Sequence, residues 1–379
     1  MTAIKNCSKP VRILQVVPST NIGGTEGCVM QMLRQIDRTR FKMDFLVHSD
    51  REGYYDQEIR ALGANTLRCP KRWLNYSRHF KRVLLEYGPY DVVHSHVHLF
   101  NGYVLRTACR AGVPIRIAHA HATFPGKAEW ARYFYLALLK RWIKEYATIG
   151  LAVSRAGAAN LFGPEWKSDR RWQLFDCGID FMPFHVKVDR AAVRGELGLP
   201  GDAYVLGHVG RFSEEKNHRF LVEIAAEAVK RGKEVRLLLV GDGPLRAAVE
   251  QQVAQANLAD QVIFLGNRSD VPRLMMGGMD VLVFPSLHEG LPLVLLETQA
   301  AGLPSVYSDS VTDEVEVVKA LFRRLSLDQA ASVWAEAALS ASEASAGISR
   351  AEALRIMEQS GFRLPVKKLE MIYSSLLSC

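Results

Sequence analysis

The chain has 379 residues, 48% of them hydrophobic and 23% charged, a globular composition too long for one ordinary core, so two domains are expected. It holds no run of 18 uncharged apolar residues and its N-terminus has no signal-peptide layout, which argues against a membrane-spanning or secreted protein. The formal charge of +8 is divided unevenly: residues 1–180 carry 27 Lys and Arg against 15 Asp and Glu, and the remainder is net acidic, so an anionic surface is the expected partner of the first half. Six scattered cysteines with no C-x-x-C pair fit a reducing compartment, and a cytoplasmic protein is expected.

In chain order, Val11–Val17 reads as a buried strand that ends at Pro18 and opens into STNIGGTEGCVMQMLRQI. There Gly23 and Gly24 permit close backbone approach to a ligand, and Thr25 or Glu26 begins a helix to Ile36. The spacing is not the G-x-G-x-x-G dinucleotide pattern. Strand-like segments follow at Phe41–His48, Asn65–Cys69, Asp91–His96, Ile115–Ala120 and Thr148–Val153. Helical segments alternate with them at Gln57–Leu62, Tyr76–Tyr87, Phe100–Ala111 and Ala128–Tyr146. Such alternation predicts a parallel sheet covered on both faces, with ligands outside the carboxyl ends of the strands.

Histidines gather at two of those ends. In DVVHSHVH, His94, His96 and His98 share a face if the segment stays extended, and His119 and His121 do so in RIAHAHATF. Imidazoles on adjacent strands can converge on zinc, yet no Asp or Cys completes a usual ligand set, and no metal is expected. Two segments combine basic and aromatic residues. These are Lys71–Tyr87 and Lys127–Tyr146, the latter with Trp130, Tyr133, Phe134, Trp142 and Tyr146 among Arg132, Lys140, Arg141 and Lys144. Such a helix can lie on a membrane surface, or pack its apolar stripe on its own sheet.

Residues 172–200 lose periodicity and read as the join between domains. The alternation then restarts with a strand at Tyr204–Val209 followed by GRFSEEKN. Arg211 and Lys216 fall on a strand-to-helix loop, where two cations can clamp a diphosphate. Val235–Val240 with GDGP, a helix at Leu245–Ala256, a strand at Val262–Leu265 and a loop at Asn267–Arg268 come next. Val281–Ala301, VLVFPSLHEGLPLVLLETQAA, runs from a strand through a loop into a helix beginning near Leu293. The helix N-terminus at Leu293 and Val294 offers free N–H groups to a phosphate. Glu289, beside His288 and Gly290, lies in the loop and Glu297 lies in the helix, so the two carboxylates can serve one ligand. Taken alone, an E-x7-E pair is more often a solvated face. Leu303–Tyr307 suggests a further strand, and Pro365–Leu377 a segment that packs back across the join.

GGTE at 23–26, GRFSEEKN at 210–217, VGDGP at 240–244 and HEGLPLVLLE at 288–297, in this order on a doubled α/β layout, resemble the GT4 family of nucleotide-sugar glycosyltransferases, which have the GT-B fold. RIAHAHATF and SDSVTDEV resemble the branch that builds bacterial capsules and exopolysaccharides. The resemblance implies two Rossmann-like, doubly wound parallel-sheet domains facing across a cleft: an acceptor-side domain over 1–180, a nucleotide-sugar domain over 181–364 and a C-terminal helix over 365–379.

By the same resemblance Arg211 and Lys216 hold the diphosphate, Leu293, Val294 and Gly290 line the phosphate or sugar, and Glu289 contacts the sugar. Glu297 contacts the ribose, Asn267 and Arg268 the base, and Gly23 and Gly24 approach the phosphates. His121 lies near the sugar and acceptor, and with Glu289, Arg211 and Lys216 makes up the implied catalytic set. The implied reaction is retaining transfer of a sugar from a UDP- or GDP-sugar to a saccharide or lipid-linked saccharide at the inner face of the cell membrane. No cofactor, metal or nucleic acid is expected. A sugar-nucleotide epimerase on the same fold, or a non-catalytic membrane-associated assembly partner, are the alternatives. Two departures stand out: SDSVTDEV in place of a Gly-Gly-x-x-E segment, and Asp176–Cys177–Gly178 where Asn commonly precedes the Gly.

Overall fold

The computed structural model of the chain describes residues 9–71, 75–121, 130–175, 178–232, 234–363 and 365–375. The expectation attached to Asp176 and Cys177 falls outside them, as do residues 127–129 and the side chains of Trp130, Arg132 and Tyr133. The chain divides into two compact units, Met1–Cys177 with Leu364–Cys379, and Gly178–Arg363.

In the first unit β1 (Val11–Val17) leads to α1 (Gly24–Gln35), β2 (Phe41–Val47), α2 (Asp56–Ala61), β3 (Thr66–Arg68) and α3 (Tyr76–Tyr87). Then come β4 (Val92–Ser95), α4 (Asn101–Arg110), β5 (Ile115–Ala120), α5 (Trp130–Tyr146), β6 (Ile149–Ala152), α6 (Arg155–Phe162) and β7 (Trp172–Leu174). The seven strands form one parallel sheet in the order β3-β2-β1-β4-β5-β6-β7. Its central strands are apolar on both faces because helices cover both. Leu14, Val16, Leu46 and Val93 are fully buried. Segment 172–174, expected to open the join, is instead the edge strand β7. Trp172 stacks there on Phe162 at 4.5 Å, an aromatic contact that a reading by periodicity does not register.

The second unit opens with α7 (Arg190–Glu196), capped by the Asp189 carboxylate, which accepts from the N–H groups of Ala191 and Ala192. It continues through β8 (Tyr204–Val209), α8 (His218–Val229), β9 (Val235–Val240), α9 (Arg246–Gln255), β10 (Val262–Gly266), α10 (Val271–Gly277) and β11 (Val281–Phe284). The last elements are α11 (Leu293–Ala300), β12 (Ser305–Ser308), β13 (Phe322–Leu325), α12 (Ala331–Leu339), α13 (Ala341–Ala344) and α14 (Arg350–Gln359). Six parallel strands run in the order β10-β9-β8-β11-β12-β13.

Helix α15 (Val366–Ser375) belongs to the first unit. Tyr373 is fully buried against Phe41, with ring centroids 6.1 Å apart, Glu370 accepts from the N–H of Asp37 at 3.0 Å, and Lys368 donates to the Leu174 carbonyl at 3.0 Å. Cys69 and Cys109 are free thiols whereas Cys28 is disulfide-bonded, so scattered spacing did not exclude a cross-link. Among the described residues no helix is long and apolar enough to cross a membrane.

Candidate functional site

In the second unit the loops leaving β8, β9 and β11 come together at the carboxyl edge of the sheet, where parallel sheets bind ligands. The loop after β9 packs directly on the loop after β8. Gly241 has φ +129°, and a β-carbon there would lie 2.0 Å from the Gly210 carbonyl oxygen. The Gly241–Gly243 turn thereby backs the segment that carries Arg211. That segment turns through Glu214–Lys216, after which Asn217 takes a left-handed conformation (φ 54°) and starts α8.

Lys216 and Glu289, 73 residues apart, are joined by this arrangement. The Lys216 ammonium donates to a Glu289 carboxylate oxygen at 2.5 Å, and it stands 4.8 Å over the ring of Phe284 at the end of β11. Both charges are mostly shielded, with 16% and 14% of their side chains exposed. The loop position is pinned by a backbone bond from the Leu287 N–H to the Glu215 carbonyl at 2.8 Å. Arg211 is exposed on the same loop. Behind Lys216 lie two buried imidazoles. His208 donates from Nδ1 to the Val283 carbonyl at 2.9 Å, and His218 stacks on Phe212, with burial and the Lys216 charge holding it down to about 4.

Helix α11 starts at Leu293 as expected, with Pro292 at its N-cap. The N–H groups of Leu293 and Val294 make no hydrogen bond among the described residues, so the positive end of the helix stays open beside Gly290. Glu297, one turn further, is half-buried, and its carboxylate makes no hydrogen bond or ion pair among the described residues. Burial pushes its carboxyl up to about 7. A carboxylate on a fully solvated helix face has no such desolvation.

Asn267 is exposed after β10, whereas Arg268 is already engaged. Its guanidinium grips Asp270 through two bonds of 2.8 and 2.9 Å and reaches Glu196 at 3.5 Å, which raises its pKa above the usual arginine value. Of the pair expected at the base, Asn267 and the backbone are the accessible partners. The SDSVTDEV segment is fastened to α11 by Gln299, whose amide oxygen accepts from the N–H groups of Val317 and Val318 and whose nitrogen donates to the Val315 carbonyl.

In the first unit Gly23 caps α1, and a β-carbon on it would lie 2.4 Å from a Glu26 carboxylate oxygen. A β-carbon on Gly24 would meet nothing within 4 Å, so its surroundings are open. The histidines do not group as the alternation predicts. The strand ends at Ser95, the chain turns at Val97, and His98 has φ 56°, which takes it off the shared face. His94, His96, His119 and His121 form the cluster instead. His94 Nε2 lies 3.2 Å from His119 Nδ1, and His96 Nδ1 lies 2.8 Å from His121 Nε2. Two residues that sequence reasoning missed complete it: His96 Nε2 is 2.8 Å from the Gln15 amide oxygen, and His94 Nδ1 is 2.8 Å from the Tyr373 hydroxyl. Gln15 was visible as a polar residue inside the apolar run that follows Arg12; Tyr373 carried no signal. Burial holds His121 down to about 3 and the other three well below the usual histidine value, each also lowered by its neighbours, so all four are neutral. Nitrogens of His94, His96 and His119 lie within 4.8 Å of one another, close enough in geometry to hold a metal ion.

Helix α5 divides its aromatic residues. Trp142 and Tyr146 pack on the core, with the Arg106 guanidinium 4.1 Å over the Trp142 ring, so these rings are not offered to a surface. Phe134 (68% exposed), Leu138, Arg141 and Lys144 share the outer face.

Residues 189–354 match the family model of glycosyl transferases group 1, and residues 23–169 match that of the glycosyl transferase 4-like domain. The chain is 37% identical over 337 residues to EpsF of Bacillus subtilis (strain 168), provisionally named a glycosyltransferase, covering 87% of each chain. It is 25% identical over 324 residues, 81% of each chain, to the UDP-Gal:alpha-D-GlcNAc-diphosphoundecaprenol alpha-1,3-galactosyltransferase of Escherichia coli. Its fold is similar to that of Anabaena HepE in complex with UDP and glucose, with a TM-score of 0.79 at 19% identity over 97% of this chain and 100% of that one. WaaG, a glycosyltransferase of lipopolysaccharide biosynthesis, gives 0.74 at 16% identity over 95% and 99%.

Proposed function

The chain belongs to the GT4 family of glycosyltransferases with the GT-B fold, acting in polysaccharide biosynthesis, and from that membership we propose that it transfers a sugar from a UDP-sugar to a lipid-linked saccharide with retention of configuration. The observation that carries this reading is the shielded Lys216–Glu289 pair beside the open end of α11. When the bond between the anomeric carbon and the diphosphate breaks, negative charge grows on the leaving nucleotide. Lys216, Arg211 and the N–H groups of Leu293 and Val294 are fixed dipoles and charges suited to that growth. Glu289 then serves the sugar, where positive charge develops, and half-buried Glu297 accepts from ribose hydroxyls. Gly23, Gly24 and His121 of the first unit are assigned to the phosphates and the sugar on the family pattern alone.

The choice of uridine is supported by two relatives: the Escherichia coli enzyme is named for UDP-Gal and a diphosphoundecaprenol acceptor, and HepE binds UDP. The first half's basic charge and the Phe134, Leu138, Arg141 and Lys144 face fit work at the cytoplasmic surface of a membrane, where such an acceptor lies. Cations and a helix end take the part a metal would play, so activity is expected to survive EDTA.

A thermal-shift panel of UDP, GDP, ADP and their sugars tests the donor. A ligand at one hundred times its Kd adds about 2.7 kcal/mol of stability. UDP and a UDP-sugar are expected to raise the melting temperature, and Lys216→Ala to abolish the effect. A larger shift with GDP reassigns the base; no shift with any nucleotide defeats the donor-site reading.

A further inference from the structure

The segments that leave β2, β3 and β4 lie at the carboxyl edge of the first sheet, the edge at which parallel sheets bind ligands. His48 follows β2 directly, Lys71 comes shortly after β3, and a turn over His98–Phe100 follows β4. Rings from these segments and from α3 pack edge to face. His48 stands 5.5 Å from Phe100 at 89° and 5.3 Å from Tyr76 at 77°, and Tyr76 stands 5.0 Å from Phe100 at 75°. The Lys71 ammonium lies 4.7 Å over the same Phe100 ring.

Two donors of this cluster have no acceptor. Lys71 makes no hydrogen bond or ion pair among the described residues. The residue as a whole is exposed, yet the neighbours around its ammonium desolvate it and lower its pKa, and no carboxylate stands close enough to raise it. The second donor is His48. Tyr76 is buried, and its hydroxyl has His48 Nε2, at 2.9 Å, as its partner. The hydroxyl donates to Nε2, since the reverse would leave both the hydroxyl proton and Nδ1 unmet. A neutral imidazole carries one proton, which then sits on Nδ1, a buried atom with no partner. The ring is neutral because burial, and after it the Lys71 charge, hold it down to about 3.

A neighbouring cation of the same edge shows the contrast. Arg68, at the end of β3, is satisfied by the Asp56 carboxylate at 2.8 Å and by the carbonyls of Ser49 and Arg51. Lys71 has only the face of a ring, which holds an ammonium in place without using its N–H groups. A cation and an N–H donor packed on one ring, with no acceptor for either, match an anionic oxygen.

We propose that Lys71 and His48 form a phosphate seat on the first unit, which takes the diphosphate joining lipid to saccharide in the acceptor. That the phosphate belongs to the acceptor rests on the glycosyltransfer reading; that the seat takes a phosphate does not. Lys71, open to solvent, makes the direct contact, and the buried His48 N–H adds to the positive potential of the cluster.

Calorimetric titration with inorganic pyrophosphate tests the seat without reference to activity. Every protein compared carries Lys216→Ala, so that the second unit's own phosphate site is disabled. Lys71→Met is expected to weaken binding by about tenfold or more, and Lys71→Arg to keep most of it. His48→Phe, which retains a ring and removes the N–H, should weaken it by about threefold. Equal affinity in Lys71→Met overturns the seat, and equal affinity in His48→Phe overturns the part given to His48. Kinetics with Lys216 intact then identify the phosphate. With a lipid diphosphate-linked saccharide as acceptor, Lys71→Met should raise acceptor KM by about tenfold and leave donor KM unchanged. An unchanged acceptor KM, with weaker sedimentation on phosphatidylglycerol vesicles, would assign the seat to a lipid headgroup and overturn the acceptor assignment. If the protein binds no nucleotide and transfers no sugar, the glycosyltransfer reading falls, while the pyrophosphate difference still decides the seat.

Discussion

Replacing Glu297 by glutamine removes a group whose burial costs the folded state. Its carboxyl is moved from 4.5 to about 7, with desolvation as the cause. At 1.36 kcal/mol per pH unit this corresponds to about 3 kcal/mol, and its partial exposure reduces the figure to about 1.5–3 kcal/mol. Below pH 4.5 the group is protonated folded and unfolded, and costs nothing. As pH rises toward 7 the unfolded chain ionises first and the folded one holds its proton, so stability falls across that window and stays low above it. Glu297→Gln is thus expected to be more stable than the wild type by about 1.5–3 kcal/mol at pH 8, a rise of about 3–10 °C in melting temperature for a unit of this size, and to match it within about 0.5 kcal/mol at pH 4.5. Donor hydroxyls that donate to the carboxylate favour its ionised form, so the same variant should bind donor less tightly, chiefly as a raised KM with kcat little changed. Calorimetric melting at both pH values, with steady-state kinetics in the donor, reads both effects. An equal stability difference at pH 4.5 and pH 8 would refute the burial argument, and an unchanged KM would refute the ribose contact.

Four further outcomes are expected. Lys216→Ala should lower turnover by about 10²–10³-fold and Glu289→Gln should lower kcat more than it raises donor KM, both read by donor-saturation kinetics; near-normal kcat in a folded Lys216→Ala protein rules out the phosphate role. Gly241→Ala, which drives a β-carbon into the Gly210 carbonyl at a left-handed φ, should destabilise the second unit by at least about 2 kcal/mol in denaturant titration. Replacing Phe134 by Ser with Arg141 and Lys144 by Gln should weaken co-sedimentation with anionic vesicles, at about 1 kcal/mol per cation and less in high salt, while UDP-induced thermal shifts persist.

The alternation of the two sheets was legible because central strands such as VLVF and VRLLLV are short, mostly apolar runs bounded by turn residues. Helix α7 was not, since it anchors through a cation: buried Arg194 donates to Asp280 at 2.6 Å, and Asp280 in turn accepts from the Val205 N–H at 2.8 Å. Strand β13, FRRL, has two exposed central arginines at a sheet edge and gives neither an apolar run nor a clean alternation. At the candidate site, Lys216 and Glu289 were named from the chain, but their direct pairing needed the fold. Arg268 looked free in sequence and is tied to Asp270 only two positions away. Phe284 read as strand core, and its service under the Lys216 ammonium depends on where the next loop turns.

Helix α15 has a consequence for how the protein is made. Gln15 and Tyr373 touch across 358 positions of sequence, and the whole second unit is synthesised between them. Until translation has passed residue 373, the first sheet lacks the ring that packs on Phe41 and the hydroxyl that meets His94 Nδ1. A long closure of this kind is slow and costs chain entropy, so completion of the first unit follows that of the second even though its strands come first. During that interval the core of the first unit is incomplete, and its seal arrives with α15.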